Sequence, residues 1–189
     1  ILEEAEKKKR EAVEEYFERK ARELDLKYVR LVVFTNPTEY LFATREVREG
    51  GLREEIKFRK DPKQVRSLRA QFYMYLRKVA FRTDMGWITF KKVDAKDFER
   101  LNEVIGKLNK IAGAKRRIYI LDAFIPQAYI KEKLLENIVR KRGRIEELER
   151  KLEEIEKTAK KEAVRRLRSE LKEVQRELKR LEEELKYYG

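Results

Sequence analysis

The spacing of apolar positions changes several times along the chain, and each change marks a new element. Apolar side chains recur at helical spacing through residues 2–24, which predicts an N-terminal helix. The β-branched and aromatic run at residues 28–35 predicts a strand. Residues 40–47 and 52–59 read as two further strands, and the glycine pair between them predicts a β-hairpin.

The next part of the chain alternates helices with strands. Residues 62–82 predict a helix that begins at an Asp-Pro pair, and residues 94–113 predict a second helix. Between these helices, residues 87–93 read as a strand. Residues 117–124 are nearly all apolar, which predicts a strand at the centre of the sheet that is buried on both faces.

The C-terminal part of the chain has the pattern of a coiled coil. Residues 145–188 contain no Gly or Pro, and most of their apolar positions follow the 3-4 spacing of a heptad seam. Around Thr158 the spacing becomes 4-4-4, so either the supercoil unwinds there or the helix bends. The apolar stripe needs a second helix to cover it. The candidates are the N-terminal helix, the helix of residues 126–142 folded back at Gly143, and a second copy of the protein.

This order of elements predicts an α+β fold. We expect a mixed, mainly antiparallel sheet with two covering helices, flanked by an N-terminal helix and a long C-terminal coiled-coil helix. Residues 1–24 should form the N-terminal helix, and residues 25–126 a basic α+β head domain. Residues 127–189 should form a helical, coiled-coil arm with a candidate turn near residue 143.

The residue types and motifs that the sequence lacks exclude several classes of function. The 189 residues include no cysteine and no histidine, which removes disulfides, thiol nucleophiles, Ser-His-Asp triads and the commonest zinc ligands. A P-loop motif and an apolar run of roughly 18 residues are also missing. We therefore expect a cytoplasmic protein that is not an enzyme and has no cofactor. Charged residues make up 45% of the chain, a bias typical of thermophile proteins and also of coiled coils.

The positive charge of the chain is concentrated in its central part. The net charge is +13, of which residues 1–24 contribute −1, residues 25–126 contribute +10 and residues 127–189 contribute +4. Such an excess attracts polyanions without dictating a fold. The predicted head domain is therefore the part of the chain most suited to an acidic partner.

The helix predicted at residues 62–82 carries the most specific signal for such a partner. The segment 62–83 has six basic residues and no acidic one. Its apolar stripe should face the sheet, and the opposite side suits a phosphate backbone together with a base or sugar contact. The alternative is a solvated face whose arginines pair with carboxylates elsewhere in the fold. The candidate contacts are Lys63, Arg66, Arg69, Tyr73, Arg77 and Lys78.

The strand at residues 87–93 contains the single tryptophan. Alternation places Ile88 and Phe90 on one face and Trp87, Thr89 and Lys91 on the other. If that second face is open, Trp87 beside Lys91 would stack a base, as RNA-recognition sheets do, although the glycine-aromatic signature of those domains is absent. The alternative is that Trp87 packs against the N- or C-terminal helix.

Two further basic clusters add candidate nucleic-acid contacts. The first comes before the last predicted strand, and the second lies near the predicted helix junction. Clusters of this kind also bind anionic lipids or act as targeting signals, so they do not specify nucleic acid as the partner. Their members are Lys115, Arg116, Arg117, Arg140, Lys141, Arg142 and Arg144.

Few residues of the sequence support a catalytic function. Glu55 and Lys57 have the Glu-x-Lys spacing of magnesium-dependent nucleases, for which only Glu39 or Glu46 offers a further acid on an adjacent strand. Asp122 is unusual inside an apolar strand, because a buried carboxylate must be paired, coordinated or neutral. These residues support a metal-dependent nuclease only as a minor alternative.

The sequence therefore predicts a non-catalytic nucleic-acid-binding protein, with DNA slightly favoured over RNA. It would contact mainly phosphates and use its coiled coil for assembly, as a homodimer or with a protein partner. The main alternative is a structural or protein-interaction module that works through the coiled coil. No membrane span is expected.

Overall fold

The computed structural model describes residues 1–34, 43–47, 54–58, 62–112, 118–158 and 160–189, and these residues form the predicted α+β fold. The helices are α1 (Leu2–Glu23), α2 (Pro62–Val79), α3 (Ala95–Ala112), α4 (Gln127–Ile155) and α5 (Lys161–Leu185). The strands are β1 (Leu26–Phe34), β2 (Ala43–Val47), β3 (Glu54–Phe58), β4 (Ala80–Thr83), β5 (Gly86–Thr89) and β6 (Ile118–Pro126). Among these helices none combines the length and apolarity needed to cross a membrane.

Four of the strands form one antiparallel sheet in the order β4-β5-β1-β6. Strand β1 lies at its centre, where Leu31 pairs with Ile88 of β5 and with Leu121 of β6. Strands β2 and β3 form a separate antiparallel hairpin, which confirms that prediction. Every strand pair in the described part of the chain is antiparallel, so the parallel component allowed by the sequence is not found there.

The sheet is covered by helices on both faces. Because side chains alternate along a strand, Val32 of β1 belongs to a core with α2 and α3, whereas Leu31 belongs to a core on the opposite face. The two covering helices predicted from sequence are α2 and α3. The opposite core contains Leu134 of α4 and Leu181 of α5, so the C-terminal helices form a second covering layer.

The C-terminal coiled coil is a hairpin of two helices within the chain. The sequence predicts an interruption near Thr158, but as unwinding or bending of one helix; the chain instead forms two helices, because α4 ends at Ile155 and α5 begins at Lys161. The candidate turn near Gly143 is wrong, because α4 continues through that position. The apolar seam is broken where the heptad phase slips, and the chain turns back at that point so that the two halves cover each other.

Strand β6 lies at an edge of the sheet, not at its centre as predicted. Leu121 is 47% exposed, and Asp122 is exposed and accepts a 2.5 Å hydrogen bond from the Tyr28 hydroxyl. Phe124 stacks on Phe17 of α1 at a ring distance of 6.3 Å. An apolar run indicates a strand, but the run does not determine how many neighbours that strand has.

Helix α2 ends three residues earlier than predicted, because residues 80–83 form β4 instead. The Phe90 N–H donates to the carbonyl oxygen of Val79 at 2.8 Å, and a tight turn joins β4 to β5. In that turn the Thr83 hydroxyl donates to the carbonyl oxygen of Gly86 at 2.7 Å. Strand β5 ends at Thr89, which is also earlier than the predicted residue 93.

The end of α5 is held on the sheet by polar contacts. Glu184 is buried, and its carboxylate accepts the backbone N–H of Lys91 at 3.1 Å and the Tyr188 hydroxyl at 3.3 Å. The side chain of Gln127 donates to the carbonyl oxygen of Tyr188 at 2.5 Å. Burial raises the pKa of Glu184 above its ordinary value of 4.5, although the two hydrogen bonds act in the opposite direction.

This raised pKa predicts how stability depends on pH. A carboxyl group whose pKa is higher in the folded state contributes stability below its unfolded pKa, and that stability is lost as the pH rises through the folded pKa. Replacing Glu184 with Gln removes this loss. The unfolding free energy of the variant relative to the wild type should therefore rise from pH 4 toward pH 7. Urea unfolding at several pH values measures the difference, and a constant or falling difference would contradict the prediction.

Candidate nucleic-acid interface

Helix α2 divides into a buried and an exposed side, as its sequence predicts. Leu68, Phe72 and Leu76 are buried against the sheet and α3, whereas Arg66 and Arg77 are exposed. Lys63 is also exposed, at the first turn of the helix. Tyr73 does not lie on the exposed side, because it is half-buried against the core and its ring meets that of Phe72 edge to face at 5.2 Å.

Four of the basic side chains of α2 form no ion pair with a described carboxylate. Arg66, Arg69, Arg77 and Lys78 form no ion pair within the described part of the chain, where the ion pairs lie mainly on α1, α4 and α5. The ammonium of Lys78 lies 5.8 Å from the centre of the Tyr75 ring. Among the described residues, these four side chains are therefore not neutralised by carboxylates elsewhere in the fold.

At its C-terminal end, the exposed side of α2 leads into a basic cleft of about 410 Å³. The cleft lies along the edge strand β4, between α2 and the α4–α5 hairpin. Five cations from three elements line this cleft, accompanied by two carboxylates, Glu147 and Glu177. The cations are Arg77, Arg82, Arg140, Lys141 and Arg144.

Two of these cations are paired and three are not. Lys141 contacts Glu177 at 2.5 Å, and Arg144 bridges Glu147 and Glu170. Hydrogen bonds to Glu170 and Glu147 also raise the pKa of Arg144 above its ordinary value. By contrast, Arg77, Arg82 and Arg140 are exposed and form no ion pair with any described residue.

The floor of the cleft is apolar. Phe81, Phe90 and Leu181 line it on the sheet face toward the α4–α5 hairpin, and Trp87 lines it on the face toward the α2–α3 core. The predicted alternation holds for Trp87, which packs toward the α2–α3 core, and for Phe90, which packs toward the opposite one. It does not extend to Lys91, which follows the end of β5 and meets Tyr188 of the same core as Phe90. Trp87 lies neither on an open sheet face nor in the core formed with the C-terminal helices, because it is half-buried against the α2–α3 core.

Asn137 of α4 completes the wall of the cleft and is only 9% exposed. Its amide donates both hydrogens, one to the carbonyl oxygen of Arg82 at 2.9 Å and one to that of Lys133 at 2.7 Å. The first bond satisfies an outward-facing carbonyl of the edge strand. Because both donors are used, Oδ1 is the only hydrogen-bonding atom that this side chain has left.

No protein-family model, curated protein or solved structure matches this chain. Its function therefore has to be argued from its own side chains. Among the described residues no group of three Asp, Glu, His or Cys side chains could hold a metal ion. The lining of the basic cleft combines guanidinium groups with apolar side chains, a combination that suits an anionic ligand.

The remaining candidate residues lie apart from the basic cleft. Lys91 lies against the end of the C-terminal helix, where its ammonium is 4.9 Å from the centre of the Tyr188 ring. Arg142 pairs with Glu182 at 3.2 Å. The cluster of Lys115, Arg116 and Arg117 lies outside the described residues.

Sequence reasoning missed two residues that complete the cleft. Arg82 was expected at the end of a helix, but in β4 it pairs directly with Trp87 across the β4–β5 hairpin. Asn137 had no signal at all, because a single amide within a helix is usually a solvated residue. The presence of Arg140 in the same cleft depends on the α4–α5 hairpin packing against the sheet, which no local pattern indicates.

Proposed function

We propose that this is a non-catalytic nucleic-acid-binding protein, with DNA slightly favoured over RNA, that contacts mainly phosphates. The observation that carries the proposal is the convergence of Arg77, Arg82 and Arg140 on one cleft, where none of them forms an ion pair with a described residue, although Arg140 lies near enough to Asp84 to lower the pKa of that carboxyl. Guanidinium groups bind phosphates with two parallel hydrogen bonds. Three of them at one place favour a ligand with several phosphates.

The length of the basic surface favours a polymer over a small anion. Helix α2 has 18 residues and therefore extends about 27 Å at 1.5 Å per residue. Its exposed cations continue from the first turn to the basic cleft. A single small anion would occupy only part of this surface, whereas a nucleic-acid backbone can follow all of it. We also propose that the protein is located in the cytoplasm.

In this proposal the α4–α5 hairpin is a scaffold that holds Arg140 at the cleft. Its apolar seam is occupied within the chain, so the seam offers little to a protein partner. The structural or protein-interaction alternative is favoured instead by Leu135 and Val139, one helical turn apart on α4 and 48% and 68% exposed. On that reading, substituting these two residues would abolish partner binding, and the arginines of the cleft would be dispensable.

The nuclease alternative has one observation in its favour. In the register of the β2–β3 hairpin, Glu46 pairs directly with Glu55, two residues before Lys57. Degradation of a nucleic-acid probe only in the presence of magnesium, and its loss in Glu55→Gln, would support this reading over non-catalytic binding.

The proposal is tested by fluorescence anisotropy with labelled duplex DNA, single-stranded DNA and RNA over a salt series. Six cations of this surface lack an ion pair in the described part of the chain: Arg66, Arg69, Arg77, Lys78, Arg82 and Arg140. If all six contact phosphates, log K should fall with log salt at a slope of about −5 for duplex and about −4 for single strands. Micromolar or tighter binding at low salt is expected. Absence of binding to all three probes would refute the proposal.

A further inference from the structure

The basic cleft combines two kinds of surface that a phosphate backbone alone does not need. Its lining carries the guanidinium groups of Arg77, Arg82 and Arg140 and two carboxylates, together with Trp87 and further apolar side chains. Phosphates in a duplex lie on the outside of a helix and are bound by exposed cations. An apolar floor behind such cations suits a ligand that has a flat apolar part joined to an anionic part.

The size and position of the cleft suit one nucleotide of a nucleic-acid strand. Its volume of about 410 Å³ falls in the range of about 300–1,000 Å³ that is typical of small-molecule sites. The cleft lies where the exposed side of α2 ends. A strand that follows α2 by its phosphates would therefore bring one nucleotide to the cleft.

Asn137 supplies a polar contact with a defined direction. Its two amide donors are bound to the carbonyl oxygens of Arg82 and Lys133, so its orientation is fixed. Oδ1 has no donor among the described residues and can accept a hydrogen bond from a ligand in the cleft. The edges of nucleobases carry N–H donors, and these edges are accessible only when the base is unpaired.

We infer that the basic cleft binds a single unpaired nucleotide, with its base on the apolar floor beside Trp87 and its phosphate on the arginines. The inference rests on the proposed function and names its substrate class as single-stranded nucleic acid. A base in a duplex cannot enter the cleft unless it leaves the stack, at a cost in unpairing energy. A blunt duplex can then use the cations of α2 and the cleft, but not the floor.

The test uses the full chain and follows Trp87, which is the single tryptophan of the sequence. A short single strand, an abasic strand of equal length and a blunt duplex are compared by anisotropy and by tryptophan emission. We expect the single strand to bind at least about tenfold more tightly than the other two, because base stacking adds to the phosphate contacts. The single strand should also quench the Trp87 emission saturably, and the other two should leave it unchanged.

Two variants locate the effect at the cleft. Arg140→Glu should abolish the quenching, whereas Arg150→Glu, with the same charge change further along α4, should retain it. Both positions are exposed, so neither change should unfold the protein. Equal binding of all three probes with unchanged emission would overturn the inference and leave the proposed function intact. Failure of every probe to bind would refute the proposed function itself.

Discussion

Replacing Arg77, Arg82 and Arg140 together with glutamate is expected to weaken nucleic-acid binding by at least about 100-fold at low salt. The three guanidinium groups come from α2, β4 and α4, and none forms an ion pair with a described residue. Each charge-assisted contact to a phosphate contributes on the order of 1.5 kcal/mol or more, and reversal adds repulsion. Fluorescence anisotropy measures the loss.

The salt dependence distinguishes lost contacts from a general charge effect. If the three arginines contact phosphates, the slope of log K against log salt should become smaller by about 3 for duplex DNA. A matched control reverses three exposed cations on the helical hairpin that also lack an ion pair among the described residues. These control residues are Arg150, Arg166 and Lys179.

The control variant carries the same net charge but should lose far less affinity and keep most of the slope. If both triple variants weaken binding equally, the protein attracts nucleic acid only through its overall charge, and the cleft is not the site. Circular dichroism should show the same helix content in both variants, because all six positions are on the surface.

The second large effect is expected at Gly86, the first residue of β5. Its φ of 137° lies in a region that side-chain-bearing residues rarely adopt. A Cβ atom built at this position would lie 2.5 Å from the carbonyl oxygen of Val32, in the neighbouring strand β1. Both the strain and the clash involve backbone, so no side chain can move aside. Gly86→Ala should therefore lower the unfolding free energy by about 3 kcal/mol, as measured by urea unfolding.

Gly106 and Gly143 provide controls of the opposite sign. Both lie within helices, and a Cβ at either position would meet nothing within 4 Å. Alanine there should stabilise the protein by about 0.5–1 kcal/mol, because glycine in a helix loses more backbone freedom on folding. A Gly86→Ala variant as stable as these two would show that the β4–β5 turn and strand β1 are not packed as described.

The sequence predictions that are correct concern features set by local backbone geometry. The apolar stripe of α2, the β2–β3 hairpin and the two faces of β5 follow from periods of 3.6 and 2 residues, which are properties of local backbone geometry. The break near Thr158 follows from the slip in heptad spacing. Each of these features depends on side chains that are close in sequence.

The features that could not be predicted depend on contacts between distant parts of the chain. An apolar strand such as β6 has the same pattern at a sheet edge as at its centre, and only the pairing decides between them. Residues 80–83 continue the helical pattern of α2, yet they become β4 because they pair with β5. The position of the α4–α5 turn, not Gly143, decides which residues of the two helices face each other.

The sequence by itself therefore determined the α+β class, the element types, the basic exposed side of α2 and the absence of cysteine and histidine chemistry. Only the tertiary structure decided that Arg77, Arg82 and Arg140 lie around one cleft with Trp87 and Asn137. The physical reason is that local periodicity specifies which face of an element is buried. It does not specify against which other element that face packs, and the cleft exists only between elements.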